Sequence, residues 1–401
     1  MAAFKTLDDL DVDGKTVLLR VDFNVPLRAG AVTDATRIER SLPSIEELSG
    51  RGARVVLMSH LGRPQGERRA QFSLAPLIEP LAERLSGRQV VFAADCIGDA
   101  AETAAAELAP GAVALLENLR FHPGEAANDP EFAAALARLG DLYVNDAFAV
   151  AHRAHASVVA LAGLLPAAAG RLMQAELESL SAALERPARP LVALVGGAKI
   201  STKLDLLGNL LAKVDALVVG GAMANTFLHA RGLDVADSLC ERDMAETARK
   251  LMTRAEALGC ALVLPVDVVV ADRLAGNAAT ATVPIENVPP GRMILDIGPA
   301  TAETVCAQLA ASRTLVWNGP LGCFETPPFD KGTKQVATAA AALTQAGKLF
   351  SVAGGGDTLA ALAQCGAAED FSYLSTAGGA FLAWLQGRNL PGVEALEDAA
   401  N

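Results

Sequence analysis

The stretch VLLRVDFNVP, residues 17–26, begins as an apolar run and ends with apolar residues alternating with polar ones. In an extended chain successive side chains point to opposite faces, so Val21, Phe23 and Val25 share one face and Arg20, Asp22 and Asn24 the other. The first face suits a core; the second needs a polar partner. Short apolar runs recur at 54–59, 89–93, 112–116 and 141–146, and again at 191–195, 216–219, 261–270, 293–297, 314–317, 349–353 and 371–374, with helical patterns between them. Continuous apolar strands alternating with helices predict an α/β protein of two doubly wound parallel sheets, about half a dozen strands in each.

A chain of 401 residues exceeds one ordinary core, so two domains are expected. Between the two sets of strands, RLMQAELESLSAALER (171–186) reads as a long helix stopped by Pro187 and Pro190, and serves as the connector. The two halves show no common sequence period.

Half the residues are hydrophobic (51%), a fifth are charged (20%), and aromatics are few (4%), as in a compact folded protein. The net charge of −12 argues against a nucleic-acid partner, which calls for a basic face. The opening MAAFKTLDDLDVDGKT carries acids where an export signal would carry bases and an apolar run, so export by that route is not expected. The longest uncharged segment, 156–170, is too short to span a bilayer and contains Pro166, so no membrane segment is expected either. Six cysteines are scattered without a C-x-x-C pair, which writes neither a disulfide framework nor a zinc cluster and fits a cytoplasmic location.

In parallel α/β sheets ligands bind beyond the carboxyl ends of the strands. The exits of the first half read SHLGRP (59–64), ENLRFHPGE (117–125) and NDAFAVAHRAHA (145–156), which bring His60, Arg63, Arg120, His122, His152, Arg153 and His155. Four of the five histidines lie there, on an otherwise acidic background. Cations so placed focus on a small anion, and arginine's planar fork suits carboxylate and phosphate. Asp22 and Asn24 can accept hydrogen bonds from hydroxyls of the same anion. For His122 and His155 individually, a structural role is the simpler reading.

The second half offers backbone amides and two lysines. No lysine occurs between Lys15 and Lys199, and Lys203 follows in VGGAKISTKLDLLGNLLAKV. On a helix, positions i and i+4 are neighbours, and a phosphate between them would relieve the like-charge repulsion. Gly196 and Gly197 leave a strand and are expected to open that helix, whose free N–H groups favour anions. AGGGDT (353–358) and STAGGA (375–380) repeat the strand-to-helix turn, with Asp357 available to Mg²⁺. WNGP (317–320) ends another strand, and Glu325 downstream can accept from ribose hydroxyls. No G-x-x-x-x-G-K-[ST] is present, and the protein-kinase motif set is absent. One domain for a small anion and one for polyphosphate with magnesium describe a two-domain kinase, since phosphoryl transfer needs positioning and cations more than covalent chemistry.

RVDFNVP, SHLGRP, ENLRF, AHRAHAS, GGAKISTK, VWNGPLGCFE, GGGDT and STAGGA, in this order over nearly the whole chain, closely resemble phosphoglycerate kinases. The resemblance implies reversible phosphoryl transfer between ATP and the carboxylate of 3-phosphoglycerate, with Mg²⁺, in a monomeric, hinge-closing, cytoplasmic enzyme. It implies that Asp22, Phe23, Asn24, Arg37, His60, Leu61, Gly62, Arg63, Arg120 and Arg153 bind the acceptor. It further implies that Gly197, Lys199, Lys203, Asn318, Glu325, Gly354, Gly355, Gly356, Asp357 and Thr358 bind the nucleotide, with Asp357 serving Mg²⁺. Arg37, Lys199, Gly355 and Gly356 would serve the transfer itself. The implied domains are an acceptor domain 1–170 completed by 388–401, an interdomain helix 171–187 and a nucleotide domain 188–387. Ala377, Cys323, Ala383 and Gln386 depart from the family's usual glycine, valine and glutamates, and none of them removes a group assigned to chemistry. From the residues alone, a kinase for another small acid and a two-domain anion-binding protein remain as alternatives, to be separated by acceptor specificity and by MgADP binding.

Overall fold

The computed structural model describes residues 4–400. The chain divides into two compact units, one running to Glu178 and resuming at Asn389, the other spanning Ser179–Arg388. The division falls within a helix, Arg171–Leu180, which a wider helical turn, Ser181–Glu185, continues.

The first unit is built on six strands: β1 (Thr16–Arg20), β2 (Arg54–Met58), β3 (Val90–Ala93), β4 (Val113–Leu116), β5 (Leu142–Asn145) and β6 (Ala167–Ala169). They lie in the order 3-4-2-1-5-6, and every pair is parallel. The central strands are buried on both faces, which is why their sequences read as continuous apolar runs. Helix Thr36–Gly50 lays Ile38, Ile45 and Leu48 on Val17, Leu19, Val55 and Val113. Strand β6 escapes sequence reading because its residues are all alanine, which carries no strand preference. The terminal helix Pro391–Asp398 belongs to this unit, and its Gly392 amide donates to the Ala151 carbonyl at 2.9 Å.

The run 17–25 is a paired strand only as far as Arg20; residues 21–26 continue outside the ladder. Its expected polar face is not a solvent face, because Arg20 is fully buried and Asp22 nearly so.

The second unit holds a second six-stranded parallel sheet: β7 (Leu191–Val195), β8 (Ala216–Val219), β9 (Ala261–Val263), β13 (Thr314–Asn318), β14 (Phe350–Gly354) and β15 (Tyr373–Ser375), ordered 9-8-7-13-14-15. The remaining strands, β10 (Asp267–Ala271), β11 (Ala281–Pro284) and β12 (Met293–Ile297), form a separate antiparallel sheet ordered 11-10-12. This corrects the single strand expected at 261–270, which breaks around Pro265, and the placement of 293–297 in the parallel sheet. Helices Pro299–Ala310 and Lys331–Gln345 press Ala302, Val305, Leu309, Val336 and Ala340 onto Val192, Leu194, Leu315 and Trp317.

Two separate cores imply two separable stabilities. Leu19→Ala should cost about 2–5 kcal/mol in denaturant unfolding and act on the first unit's transition, while Leu194→Ala should act on the second's. Unchanged midpoints for both variants would contradict these core positions.

Candidate functional site

In the first unit the exits of β1, β2, β4 and β5 close on one another through hydrogen bonds. The Phe23 amide donates to Ser59 Oγ at 2.8 Å, and the Gly62 amide donates to Asn24 Oδ1 at 2.8 Å. Arg120 Nη1 donates to the Gly62 carbonyl at 2.8 Å, and Asn118 Nδ2 donates to the Leu61 carbonyl at 2.8 Å. Gly62 has φ +61°, and a Cβ there would run into the Phe72 ring at 2.4 Å, so the turn requires glycine. Arg63, next in the same turn, is exposed.

Arg37 is the second residue of its helix and pairs with the carboxylate of Asp22, while Asp22 Oδ1 accepts from the Asn24 amide at 3.1 Å. His60 is buried, with Nδ1 3.9 Å from Asp22 Oδ1 and 3.2 Å from Arg20 Nη2. A guanidinium only donates, so His60 Nδ1 must accept and Nε2 carries the proton. Burial, then the positive charge of Arg20, Arg120 and Arg37, drives the His60 pKa well below its ordinary value, so the ring is neutral at pH 7. Arg120 feels the same crowding. Its pKa is lowered to about 10, by burial first and then by Arg20 and Arg153, while Glu125 and Asp22 pull it back up.

Beneath this cluster lies a layer that the sequence did not single out. Arg20 Nε donates to Ser157 Oγ at 2.9 Å, and Ser157 donates through Oγ to Glu125 Oε1 at 2.7 Å and through its amide to Oε2 at 2.9 Å. Glu125 is fully buried, and His155 Nδ1 lies 3.6 Å from it. An arginine inside the apolar run VLLRV was the available signal. His122 turns instead to Asp95, with Nε2 2.6 Å from Oδ1.

In the second unit, β7, β13 and β14 end side by side. Gly196 and Gly319 come so close that a Cβ on Gly196 would lie 1.7 Å from the Pro320 carbonyl oxygen, and one on Gly319 would lie 2.3 Å from the Gly196 oxygen. Gly197 and Asp357 line the cleft that opens there, along with Asn225, Leu295, Cys323 and Glu325. Lys199 and Lys203 do not share a helix: residues 200–203 form turns, and the helix begins at Leu204 with Lys203 at its N-cap. The glycines before Lys199 leave room for the chain to loop out before it coils. Lys203 reaches back, donating to the Gly196 carbonyl at 2.6 Å and to Asn318 Oδ1 at 2.7 Å, while Lys199 is exposed. Burial lowers the Lys203 pKa to about 8 and the nearby Asp357 pulls it back up.

Asn318 Nδ2 donates to the Gly354 carbonyl at 2.8 Å, and Thr358 Oγ1 accepts from the Gly319 amide at 2.7 Å, tying β13 to β14. Helix Gly356–Gln364 starts after Gly355 (φ +101°) with no side chain on its first amides, so those amides remain available to an anion. Asp357 and Glu325 are exposed at the cleft. Asp296, which sequence reading missed, is buried at its wall. Its carboxylate accepts from the Gly332 amide at 2.8 Å and the Ile297 amide at 2.9 Å, and burial raises its pKa to about 7.

An arginine–histidine anion site on one α/β unit, and a lysine with free helix amides on another, define a phosphotransferase of two domains. The family model for phosphoglycerate kinase matches residues 7–388. The chain is 59% identical over 397 residues to the phosphoglycerate kinase of Methylorubrum extorquens, covering 99% of each chain. It is 59% identical over 394 residues to that of Ruegeria sp., covering 98% of this chain and 99% of the relative. Among solved structures, phosphoglycerate kinase from Coxiella burnetii superposes with a TM-score of 0.92 at 42% identity, over 99% of this chain and 100% of that one. The enzyme from Pyrococcus horikoshii gives 0.82 at 32% identity, over 98% and 99%. The chain belongs to the phosphoglycerate kinase family.

The depressed Lys203 pKa has a sign that can be tested. In the folded chain Lys203 loses its proton near pH 8, whereas unfolded it would keep it to about 10.5, so the fold gains stability as pH rises between these values. An anion in the cleft demands the charged form, so ADP affinity measured by calorimetry should fall as pH rises through about 8, with proton uptake on binding. Lys203→Arg should lose this dependence; a pH-independent affinity in the parent chain would contradict it.

Proposed function

We propose that the chain catalyses reversible Mg²⁺-dependent phosphoryl transfer between ATP and the carboxylate of 3-phosphoglycerate, giving 1,3-bisphosphoglycerate and ADP, as a glycolytic enzyme. The observation that carries this reading is the convergence of Arg20, Arg120, Arg153 and His60 at the strand exits of the first unit, where Arg20 and Arg153 act on the partly buried Arg120. An acceptor with both a phosphate and a carboxylate supplies negative charge at two points.

In this reading Arg63, Arg120, Arg153 and the neutral His60 hold the acceptor's anionic groups, while Asp22 and Asn24 meet its hydroxyl. Phe23, Leu61 and Gly62 shape the floor. Arg37, held by Asp22 at a helix start, faces the moving phosphoryl group together with Lys199. Lys203, Gly197, Asn318, Thr358 and the amides of 354–356 hold the nucleotide phosphates, with Gly355 and Gly356 presented to the transferred group, and Glu325 accepts from the ribose.

A magnesium ion fits the second unit on the chemistry of its donors: Asp357 is an exposed carboxylate beside free helix amides, and Mg²⁺ commonly takes one or two carboxylates, waters and substrate phosphates. When bound, it neutralises charge on the transferring phosphates. Closure of the units, a property of the family, excludes water that would otherwise take the phosphoryl group. We place the enzyme in the cytoplasm as a monomer, the unit to Glu178 with the segment from Asn389 binding the acceptor and Ser179–Arg388 binding the nucleotide. No helix among the described residues is long and apolar enough to cross a membrane.

The reaction is tested by MgATP-dependent acyl phosphate formation trapped with hydroxylamine. Product is expected from 3-phosphoglycerate and not from glycerate or acetate; product from the latter acids, or from none, overturns the assignment. Arg37→Ala should lower kcat by roughly 100-fold or more with a modest change in acceptor KM, because a contact made in the transition state is removed. An unchanged kcat would refute that role. Glu325→Gln should weaken ATP but not an analogue lacking both ribose hydroxyls; equal losses for the two nucleotides would refute it.

A further inference from the structure

The first unit contains a second group of chemistry-bearing side chains that the anion site does not use. Asp95 and Cys96 sit just beyond β3, and His122 ends the short turn Leu119–Phe121 that follows β4. Strands β3 and β4 are paired neighbours in register Ala93↔Leu116, and the Glu117 amide donates to the Ala93 carbonyl at 3.1 Å, so the two exits leave the sheet side by side. One carboxylate oxygen, the thiol sulfur and a ring nitrogen lie within 4.8 Å of one another. We propose that Asp95, Cys96 and His122 form a site for a borderline-soft divalent metal ion of the zinc type at the carboxyl ends of β3 and β4.

The donor set decides the class of ion. A thiolate, an imidazole and a carboxylate together favour Zn²⁺ or Co²⁺ over the hard ions Mg²⁺ and Ca²⁺, which prefer oxygen. Bond lengths of about 2.0–2.3 Å in a tetrahedron place ligand atoms roughly 3.3–3.8 Å apart. The three donors therefore need only side-chain adjustment, with Asp95 Oδ1 and His122 Nε2 separating from their present 2.6 Å. Cys96 loses its proton to solvent as the metal–sulfur bond forms, and a water completes the fourth position.

The surroundings hold the ligands in place while leaving a way in. Cys96 is fully buried, whereas Asp95 and His122 are partly exposed and open the site to solvent. The Cys96 amide donates to Asp95 Oδ1 at 2.7 Å, and the His122 ring packs against Phe132 with centroids 5.3 Å apart. Arg68 approaches the group, 3.7 Å from Asp95 Oδ2, but it is also held by the Ala94 carbonyl and by Glu117 Oε2 at 3.9 Å, so a bound ion competes with it for Asp95 alone. His122 lies two residues past Arg120 in one turn, so a bound ion would also pin the turn that carries Arg120.

The test is a titration of the purified, chelator-stripped full chain with Co²⁺, followed by the near-ultraviolet thiolate-to-cobalt charge-transfer band. One equivalent of band intensity is expected, displaced by Zn²⁺ and not by excess Mg²⁺. Cys96→Ser should abolish the band and His122→Gln should weaken Co²⁺ binding by more than about tenfold. Far-ultraviolet circular dichroism together with a retained first-unit transition in denaturant checks that both variants remain folded. Absence of the band, its survival in folded Cys96→Ser, or unchanged affinity in folded His122→Gln overturns the site.

Discussion

Parallel pairing is the constraint on which the arrangement of both units depends. In the first, Arg20 stands opposite both Met58 and Asn145. The chains leaving β1, β2 and β5 therefore depart at the same level: the Val21 amide still donates to the Met58 carbonyl at 3.0 Å and the Asp146 amide to that of Arg20 at 2.8 Å. In the second, Asn318 stands opposite Val195 and Trp317 opposite Ala353. Antiparallel neighbours would have sent alternate exits to opposite edges, and residues as far apart in sequence as Asn24, Gly62 and Arg120 would not have met. The antiparallel sheet of β10, β11 and β12 has no such row of exits, and its contribution to the cleft is a wall: Leu295 and the buried carboxylate of Asp296.

The two units gather anions by different physics. The first uses charged side chains, and it must restrain their mutual repulsion before any ligand arrives. Glu125, fully buried, accepts two hydrogen bonds from Ser157 and has His155 Nδ1 3.6 Å away; it supplies fixed negative charge beneath Arg20, and its carboxyl is held below the ordinary range despite desolvation. Asp22 does the same for Arg37. Arg120 is still acted on by Arg20 and Arg153 as well as by burial, and an anion placed among these guanidinium groups relieves their repulsion. The second unit relies on amides that carry no net charge and need no counterion. Its half-buried Lys203 is parked on carbonyl oxygens of Gly196 and Asn318.

The parallel sheets were legible because strands buried on both faces have no choice but to be apolar throughout, and Arg63, Arg120 and Arg153 were legible because each follows such a strand, whereas Arg37, on a helix, came only with the family resemblance. What periodicity missed has local causes. The alanines of β6 look like helix, and the break at Pro265 divides what reads as one apolar run. Lys199 and Lys203 fall at helical spacing, yet the intervening residues turn instead of coiling, so the spacing carried no geometric meaning. Alternation sets Arg20 on a polar face but cannot tell solvent from a buried polar layer. Its burial depends on partners that include His60 and the distant Ser157, 137 residues later.

The departures at Ala377 and Cys323 show what the cleft can tolerate. Ala377 lies at φ −91°, a conformation open to any residue, so the glycine usual in the family is not demanded by the backbone here. It is nearly buried and precedes helix Gly378–Leu385, where a methyl group adds contact without closing an anion's approach. Cys323 is held through its amide, which donates to the Leu295 carbonyl at 2.8 Å, so the path of the chain there does not depend on the side chain. Burial, reinforced by Glu325, raises its thiol pKa, and a neutral thiol behaves as a small apolar group in place of valine. Both changes fall where main-chain groups set the geometry, in contrast to Gly196 and Gly319, where any Cβ would strike the opposing backbone and force the strand exits apart.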